Sequence, residues 1–449
     1  MRRDYRGEKV IVVGAGRTGL ALCAYFCRRG AAVTLSDRRP AAQIEGLDAL
    51  RGFELGLDLG GHRDDLFRGA DLVAISPGVP LTVPAVAAAR AAGVPVLGEV
   101  EIAFAEFTAP LAAITGTNGK STTTTVMGDI FRAWGKRTFV GGNLGTPLIE
   151  AVEEGRWDWG VAELSSFQLE AIASFRPRYA LLLNLTEDHL DRYPDMASYV
   201  AAKLRIFENM RADDTAILNA EDALVVDAVR GIRPRKQWFS SARVLDEGMG
   251  YDGSHIVWRR AGLETRFPVS ELRLKGLHNV ENVMAALLPP LLEGCPAAVA
   301  WGAARAFAGL PHRMVEVRVL NGVPWYNDSK GTNVGSVLKS LAGLAAPVTL
   351  IAGGKDKGGD YGVLADPVRK KVAHLILIGQ ASARIEQALG DLTHTLRAAS
   401  LEEAVVLARD LTPAGGAVLF SPGCSSFDMF KNYEERGDRF ARAVLDLAD

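Results

Sequence analysis

Cysteine is scarce. Four residues, Cys23, Cys27, Cys295 and Cys424, are all that 449 positions hold, and no CxxC pair is among them. Cys23 and Cys27 stand one helical turn apart, and the set reads as the reduced thiols of a cytoplasmic protein. An excess of one charge is also missing: 51 basic against 53 acidic residues leave a net charge of −2. That balance argues against a nucleic-acid footprint, which needs clustered Lys and Arg. No stretch reaches the ~18 uninterrupted apolar residues of a membrane span. Met1 to Val13 has basic residues but no long apolar core, so a signal peptide is not expected. Internal repeats and low-complexity tracts are absent too. What remains, 48% apolar and 23% charged residues, is the composition of a soluble globular protein and excludes disorder and fibrous architecture. At ~150 residues per domain, the length suggests roughly three domains.

Short apolar runs alternate with longer amphipathic stretches. Val10–Val13, Leu72–Ile75, Leu111–Ile114, Ala180–Leu183, Val348–Ile351, Leu375–Ile378 and Ala417–Phe420 are bounded by Gly, Pro or Asn and read as strands buried on both faces. Alternation with helical stretches predicts an α/β protein with more than one parallel sheet. Gln237–Ser240, Ser254–Arg260 and Glu264–Val269, with turns at Asp252-Gly253 and Ala261-Gly262, predict a small β-rich patch. Helices are expected over His278–Leu292 and Ala297–Ala308, and Gly309-Leu310-Pro311 reads as a hinge. The expected units are residues 1–97, 98–309 and 310–449.

Two glycine loops carry the chemistry. Gly14-Ala15-Gly16-Arg17-Thr18-Gly19 is a GxGxxG between a strand and a helix, with Asp37 eighteen residues on at the end of the next strand. The glycines admit a diphosphate, and the acid can take ribose hydroxyls. Alone this predicts an NAD enzyme, although UDP supplies the same diphosphate and sugar. The second loop is Thr115-Gly116-Thr117-Asn118-Gly119-Lys120-Ser121-Thr122. It departs from a Walker A at its first glycine, where Ile114 stands, but the working end is intact. Backbone N–H groups at a helix start can cradle phosphates, Lys120 can neutralise their oxygens and Ser121 can reach Mg²⁺. A dehydrogenase has no need of this loop; a kinase or ATP-dependent ligase acting on a nucleotide-bearing substrate could use both.

Glu163 ends the strand-like Gly160–Ala162 run, where a Mg²⁺ ligand belongs. Asn184 to Tyr193, with Glu187, Asp188, His189 and Asp191, follows another apolar strand and could share a second metal. Lys203 sits in a predicted helix over Ser198–Met210 on the face of Val200, Ile206 and Phe207. A lysine there can snorkel; a desolvated one can also lose its proton and add CO₂ as a carbamate.

Together these motifs resemble the Mur ligases of peptidoglycan synthesis, and among them the members that add D-glutamate. The resemblance runs from Gly14 to the C-terminal helix and rests on six ordered signatures: Thr115–Thr122, Glu163–Glu170, Asn184–Tyr193, Leu310–Arg313, Asn327–Asn333 and Ser421–Gly437. It implies a Rossmann-like UDP-binding domain, a central P-loop ATPase domain and a Rossmann-like C-terminal amino-acid domain. The first loop would then hold the UDP substrate through Gly14, Gly16, Arg17, Thr18, Gly19, Asp37 and Arg38, with Ser76 and Asn143 beside it. ATP would take Gly116, Thr117, Asn118, Gly119, Lys120, Ser121 and Thr122, adenine-side Asn279 and Asn282, and Arg313 and Asp328. Ser121, Glu163, His189 and a carbamylated Lys203 would serve two Mg²⁺ ions. D-Glutamate would meet Lys330, Thr332, Lys357, Ser426 and Tyr433. Two positions depart from the family pattern: Gly331 where alanine is common, and Tyr433 where phenylalanine is expected.

The resemblance also implies a reaction. ATP phosphorylates the carboxylate of UDP-N-acetylmuramoyl-L-alanine, and the D-glutamate amine attacks the acyl phosphate through a tetrahedral intermediate. Lys120 and Arg313 would offset repulsion between two anions, and His189 is a candidate base. A monomer in the bacterial cytoplasm is expected. Competing readings are a sister Mur ligase or folylpolyglutamate-synthetase-like ligase with another amino acid, an NAD dehydrogenase, and a non-catalytic UDP-sugar sensor.

Overall fold

The computed structural model describes residues 4–190 and 192–448; Asp191 of the acidic and histidine segment lies outside the described residues. Three sheets follow one another along the chain. The first holds β1 (Lys9–Val13), β2 (Ala32–Asp37), β3 (Gly56–Leu59), β4 (Leu72–Ile75) and β5 (Val96–Gly98), all parallel, in the order β3-β2-β1-β4-β5. The second holds β6 (Leu111–Thr115), β7 (Thr138–Gly142), β8 (Trp159–Glu163), β9 (Tyr179–Leu182), β10 (Thr215–Asn219), β11 (Arg235–Ser240), β12 (Gly248–Tyr251), β13 (His255–Arg260) and β14 (Leu263–Pro268). Its order is β14-β13-β12-β11-β10-β9-β6-β8-β7. The third holds β15 (Val315–Leu320), β16 (Val323–Asn327), β17 (Val348–Gly353), β18 (Val372–Ile378), β19 (His394–Arg397) and β20 (Ala417–Phe420), ordered β15-β16-β20-β17-β18-β19.

The apolar runs behave as parallel strands covered on both faces should. Every residue of β4, β6, β8, β9, β17 and β20 is buried. The expected β-rich patch is built into the central sheet. β12 pairs parallel with β11, and β13 and β14 extend the central sheet antiparallel from there. β12 itself, the Gly-Met-Gly-Tyr stretch, carries no apolar run and was invisible to the periodicity argument.

The chain forms two compact units. One comprises Met1–Asn184, Tyr199–Ser270 and Glu281–Ala304; the other comprises Leu185–Ser198, Glu271–Val280 and Arg305–Asp449. The first two sheets fall within one unit because side chains and backbone tie them. Arg29 pairs with Glu106 at 3.0 Å and with Glu153 at 3.1 Å, and the Gly98 N–H donates to the Ala171 carbonyl at 2.7 Å.

Strand order fixes where ligands can sit. In open parallel sheets the crevice lies at the carboxyl ends, where the order reverses. In the first sheet that point falls between β1 and β4, which lead into the Gly14 loop and Ser76. In the second it falls around β6, whose neighbours β8 and β9 end at Glu163 and just before Asn184. In the third, the adjacent β16, β20 and β17 lead into segments 328–333, 421–426 and 354–357.

Candidate active site

The loop after β6 is built to keep its backbone exposed to an anion. Gly119 has φ +88°, and a Cβ there would collide with the Asn282 side chain, so glycine is required twice over. The helix Lys120–Ala133 starts at once and has no acidic residue in its first turn, leaving the positive end of its dipole uncompensated. Asn184 locks the loop: its Oδ1 accepts from the Asn118 N–H at 2.8 Å, its Nδ2 donates to the Asn118 carbonyl at 2.9 Å, and its carbonyl takes the Thr117 N–H. Lys120 Nζ donates to the carbonyls of Gly116 (2.9 Å) and Thr117 (2.8 Å). Ser121 and Thr122 are buried at the helix start, and Thr122 Oγ1 has no hydrogen-bond partner among the described residues.

Lys203 reaches the same loop. Its helix runs Met196–Leu204 and closes with a tighter turn, Arg205–Phe207, shorter than expected. The lysine is 2% exposed, its Nζ donates to the Gly116 carbonyl at 2.9 Å, and it lies 4.6 Å from the Tyr199 ring centroid. It does not snorkel.

Glu163 ends β8 and is 3% exposed. Asn143 Nδ2 donates to its Oε1 at 2.7 Å, while Oε2 is buried with no partner among the described residues. A buried carboxylate oxygen left unpaired is costly without a cation. The pairing of β8 with β6 sets it beside the phosphate loop. These features fit a Mg²⁺ ligand, with Ser121 as the hydroxyl partner.

In the first loop, Gly14 has φ +92°, and a Cβ would meet Val79 and Ser76. Gly19 packs against the Gly14 carbonyl too closely for any side chain. Ser76 Oγ donates to that carbonyl at 3.0 Å, so the structure brings Gly14, Gly19 and Ser76 together. Gly16 caps the helix Arg17–Arg28, which Thr18 enters in its first turn, and Arg17 lies 3.7 Å from Glu150. Asp37 is already engaged: its Oδ2 accepts from the Ala15 N–H at 2.7 Å, and Arg39 binds both oxygens. Burial pushes the Asp37 carboxyl up, but the bonds from Arg39 and Ala15 and the guanidinium charge outweigh it and hold it at about 2. Arg38, singled out from sequence, is exposed; its neighbour Arg39 is the one on Asp37.

In the second unit, Lys330 Nζ donates to Tyr433 Oη at 2.7 Å and sits 4.6 Å from its ring centroid. Lys357 pairs with Asp188 at 3.4 Å, and Asn333 Nδ2 donates to the other oxygen of Asp188 at 3.0 Å. Thr332 and Ser426 lie on the loops leaving β16 and β20. Gly331 has no room for a methyl: a Cβ would stand 2.6 Å from Asp328 Oδ2 and 2.9 Å from Ser421 Oγ. Asp328 is buried, and its Oδ2 accepts from Ser340 and Ser421, both at 2.7 Å. Burial raises its carboxyl above the ordinary range, against the Arg313 charge and those hydroxyls. Arg313 Nε is buried without a partner among the described residues. His189 adopts φ +58° beside Asp188 in segment 185–198 of this unit. Asn279 donates to the Lys275 carbonyl at 2.8 Å and lies one helical turn before Asn282 on helix Leu277–Leu292.

Family models match three successive stretches: the Mur ligase MurD-like N-terminal domain over residues 8–98, the Mur ligase middle domain over 114–289 and the Mur ligase glutamate ligase domain over 312–424. A UDP-N-acetylmuramoylalanine–D-glutamate ligase of Syntrophotalea carbinolica is 65% identical over 444 residues, 99% of each chain. The chain belongs to the Mur ligase family. A second relative of that name, from Geotalea uraniireducens, is 53% identical over 98% of each chain. Two solved Mur-type structures share the fold. UDP-N-acetylmuramate-alanine ligase MurC from Thermotoga maritima has a TM-score of 0.61 and 19% identity, covering 98% of this chain and 99% of that one. A pseudomurein peptide ligase type C from Methanothermus fervidus has a TM-score of 0.63 and 17% identity over the same shares.

This Mur ligase carries site features that motif reading passed over. Asp188, offered by the sequence as a carboxylate for a second metal, anchors both Lys357 and Asn333. Arg436, 1% exposed, donates to Ser329 Oγ, the Ser329 carbonyl and the Cys424 carbonyl, binding the loops after β16 and β20. Burial lowers its guanidinium to about 10. An arginine inside the otherwise amphipathic final helix was the available signal.

Proposed function

We propose that this Mur ligase joins D-glutamate to UDP-N-acetylmuramoyl-L-alanine with hydrolysis of ATP to ADP and phosphate, in peptidoglycan precursor synthesis. The observation that carries the reading is the 65% identity, across essentially the whole length of both chains, to a relative named for that reaction. The geometry agrees with it. A phosphate loop and a diphosphate-type loop occur in one unit, and lysine-bearing strand ends suited to a dicarboxylic amino acid occur in the other.

The expected division into residues 1–97, 98–309 and 310–449 assigns these tasks to UDP substrate, ATP and amino acid. Gly14, Gly16, Arg17, Thr18, Gly19, Arg38, Ser76 and Asn143 face the UDP substrate, with Asp37 holding the loop through Ala15. The backbone of Gly116–Thr122 cradles the ATP phosphates. Lys120 exchanges its loop carbonyls for β- and γ-phosphate oxygens. Asn279 and Asn282 flank adenine, and Arg313 and Asp328 complete the nucleotide contacts.

Chemistry runs in two steps. The alanyl carboxylate attacks the γ-phosphorus, the bond to the ADP oxygen breaks, and an acyl phosphate forms. Two anions must approach, so Lys120 and Arg313 lower the barrier by charge. Magnesium, when bound, neutralises phosphoryl oxygens; Ser121, Glu163, His189 and a carbamylated Lys203 are the residues that would hold it. The neutral D-glutamate amine then adds to the acyl carbon, and the tetrahedral adduct expels inorganic phosphate. Lys330, Thr332, Lys357, Ser426 and Tyr433 orient the amino acid, and His189 takes the amine proton. The acyl phosphate hydrolyses in water, so shielding it is part of the task. We place the enzyme in the bacterial cytoplasm as a monomer; among the described residues no helix is long and apolar enough to cross a membrane.

The test is phosphate release from ATP with the UDP substrate, Mg²⁺ and, in turn, D-glutamate, L-glutamate, L-alanine or no amino acid. Release with D-glutamate alone is expected. Release with another amino acid keeps the ligase chemistry and overturns the roles given to Lys330, Lys357 and Ser426. No release with any overturns the reading.

A further inference from the structure

Among the described residues no group of three or more His, Cys, Asp or Glu is arranged to hold a metal ion. One pair nevertheless has the spacing of ligands. His374 of β18 and His394 of β19 are register partners in a parallel ladder, so their side chains leave the sheet on the same face. Their Nδ1 atoms stand 3.2 Å apart, with the rings at 81°. Two imidazole nitrogens on a tetrahedral zinc, each at about 2.0–2.1 Å, are about 3.3 Å from one another.

Burial and the neighbouring His394 disfavour the protonated form of His374, and a neutral imidazole keeps one ring nitrogen with a free lone pair. His394 is exposed at the sheet edge, which leaves room for water to fill the remaining positions.

We propose that His374 and His394 form a two-imidazole site for a divalent transition-metal ion such as zinc, completed by water and clamping the edge strand β19 to β18. The site lies near the start of β18, about 13 Å of strand away from the carboxyl ends that carry the amino-acid loops. It is therefore separate from the proposed reaction in its residues and in its test.

The experiment uses the untagged full-length enzyme, stripped of metal and kept in excess Mg²⁺. Zn²⁺ alone is titrated calorimetrically into the wild type, His394→Ala and His374→Ala, and thermal midpoints are read with and without Zn²⁺. One zinc per chain is expected, with affinity about tenfold or more weaker in either variant, and a zinc-dependent rise in midpoint confined to the wild type. His394→Ala, at an exposed edge position, should keep the metal-free midpoint and the basal rate of phosphate release. Equal zinc titrations for wild type and His394→Ala, or no zinc binding to the wild type, would overturn the site and leave the pair as an imidazole–imidazole hydrogen bond.

Discussion

Lys203 Nζ donates to the carbonyl of Gly116 at 2.9 Å, from a side chain 2% exposed. A helix outside the phosphate loop thus places an amine against that loop, with the Tyr199 ring on one side. Tyr199 Oη is also 3.1 Å from Thr117 Oγ1, so the same helix turn holds the loop twice. If Lys203 works as a carbamate, Lys203→Ala removes a carboxylate that small acids can replace. Phosphate release should fall by about a hundredfold or more, a loss typical of a removed site group, and recover in part with added formate or acetate. Wild-type rates in Lys203→Ala would end the catalytic assignment. Loss without rescue would leave the lysine as a loop support.

Asn143 and Glu163 form the second linked pair. The amide holds Oε1 and leaves Oε2 buried and unpaired among the described residues. Asn143→Ala should therefore disturb the carboxylate rather than remove it. The expected signature is a Mg²⁺ requirement raised about ten- to a hundredfold, as for outer partners of metal ligands, with activity regained at high Mg²⁺. Glu163→Gln should lose activity that Mg²⁺ cannot restore. Identical Mg²⁺ titrations for wild type and Asn143→Ala would separate Asn143 from the metal.

How far the sequence led depends on how local each feature is. The two glycine loops were legible because φ, strand ends and helix starts are set within a few residues, as Gly14 and Gly119 show. Lys203 was legible as a residue on an apolar face, because helical periodicity alone puts it there. Asp188 and Arg436 were not, because their roles arise from partners distant in sequence; Arg39 was not, because sequence alone does not say which of two adjacent arginines turns back onto Asp37. Asp188 meets Asn333 and Lys357 145 and 169 positions away. β12 was missed for another reason: Gly-Met-Gly-Tyr has little strand propensity and is held by pairing with β11 and β13.

Glu99 predicts a pH dependence of stability. It is 2% exposed; its Oε1 accepts from the Ile149 N–H at 2.6 Å, and its Oε2 has no partner among the described residues. Burial raises the carboxyl from 4.5 to about 7, against the Ile149 bond. An acid whose folded value exceeds its unfolded one binds its proton more tightly in the fold. Its contribution to stability therefore falls as pH rises from 4.5 to about 7 and stays low above that. The difference is roughly 3 kcal/mol. Glu99→Gln keeps an oxygen for Ile149 and has no charge to bury. It should melt above the wild type at about pH 8 and match it at about pH 4, where the acid is protonated in both the folded and the unfolded chain. Parallel melting curves at both pH values would remove Glu99 from the account.

Tyr433 supports a prediction about the amino-acid side that separates two kinds of contact. Its hydroxyl accepts from Lys330 Nζ at 2.7 Å, and its ring lies 4.6 Å from the same nitrogen. Phenylalanine, which the family pattern has here, keeps the ring and drops the hydroxyl. A bond from a charged donor is worth about 1.5–3 kcal/mol, but the Lys330 ammonium can turn its proton to substrate carboxylate instead. Tyr433→Phe should then raise the KM for D-glutamate by about threefold or less, with kcat and the KM for ATP unchanged, because the ring still stabilises the cation. Tyr433→Ala removes both contacts and should raise the D-glutamate KM by about tenfold or more. Steady-state kinetics in D-glutamate decide between them. Equal effects of the two substitutions would show that the hydroxyl, and not the ring, positions Lys330.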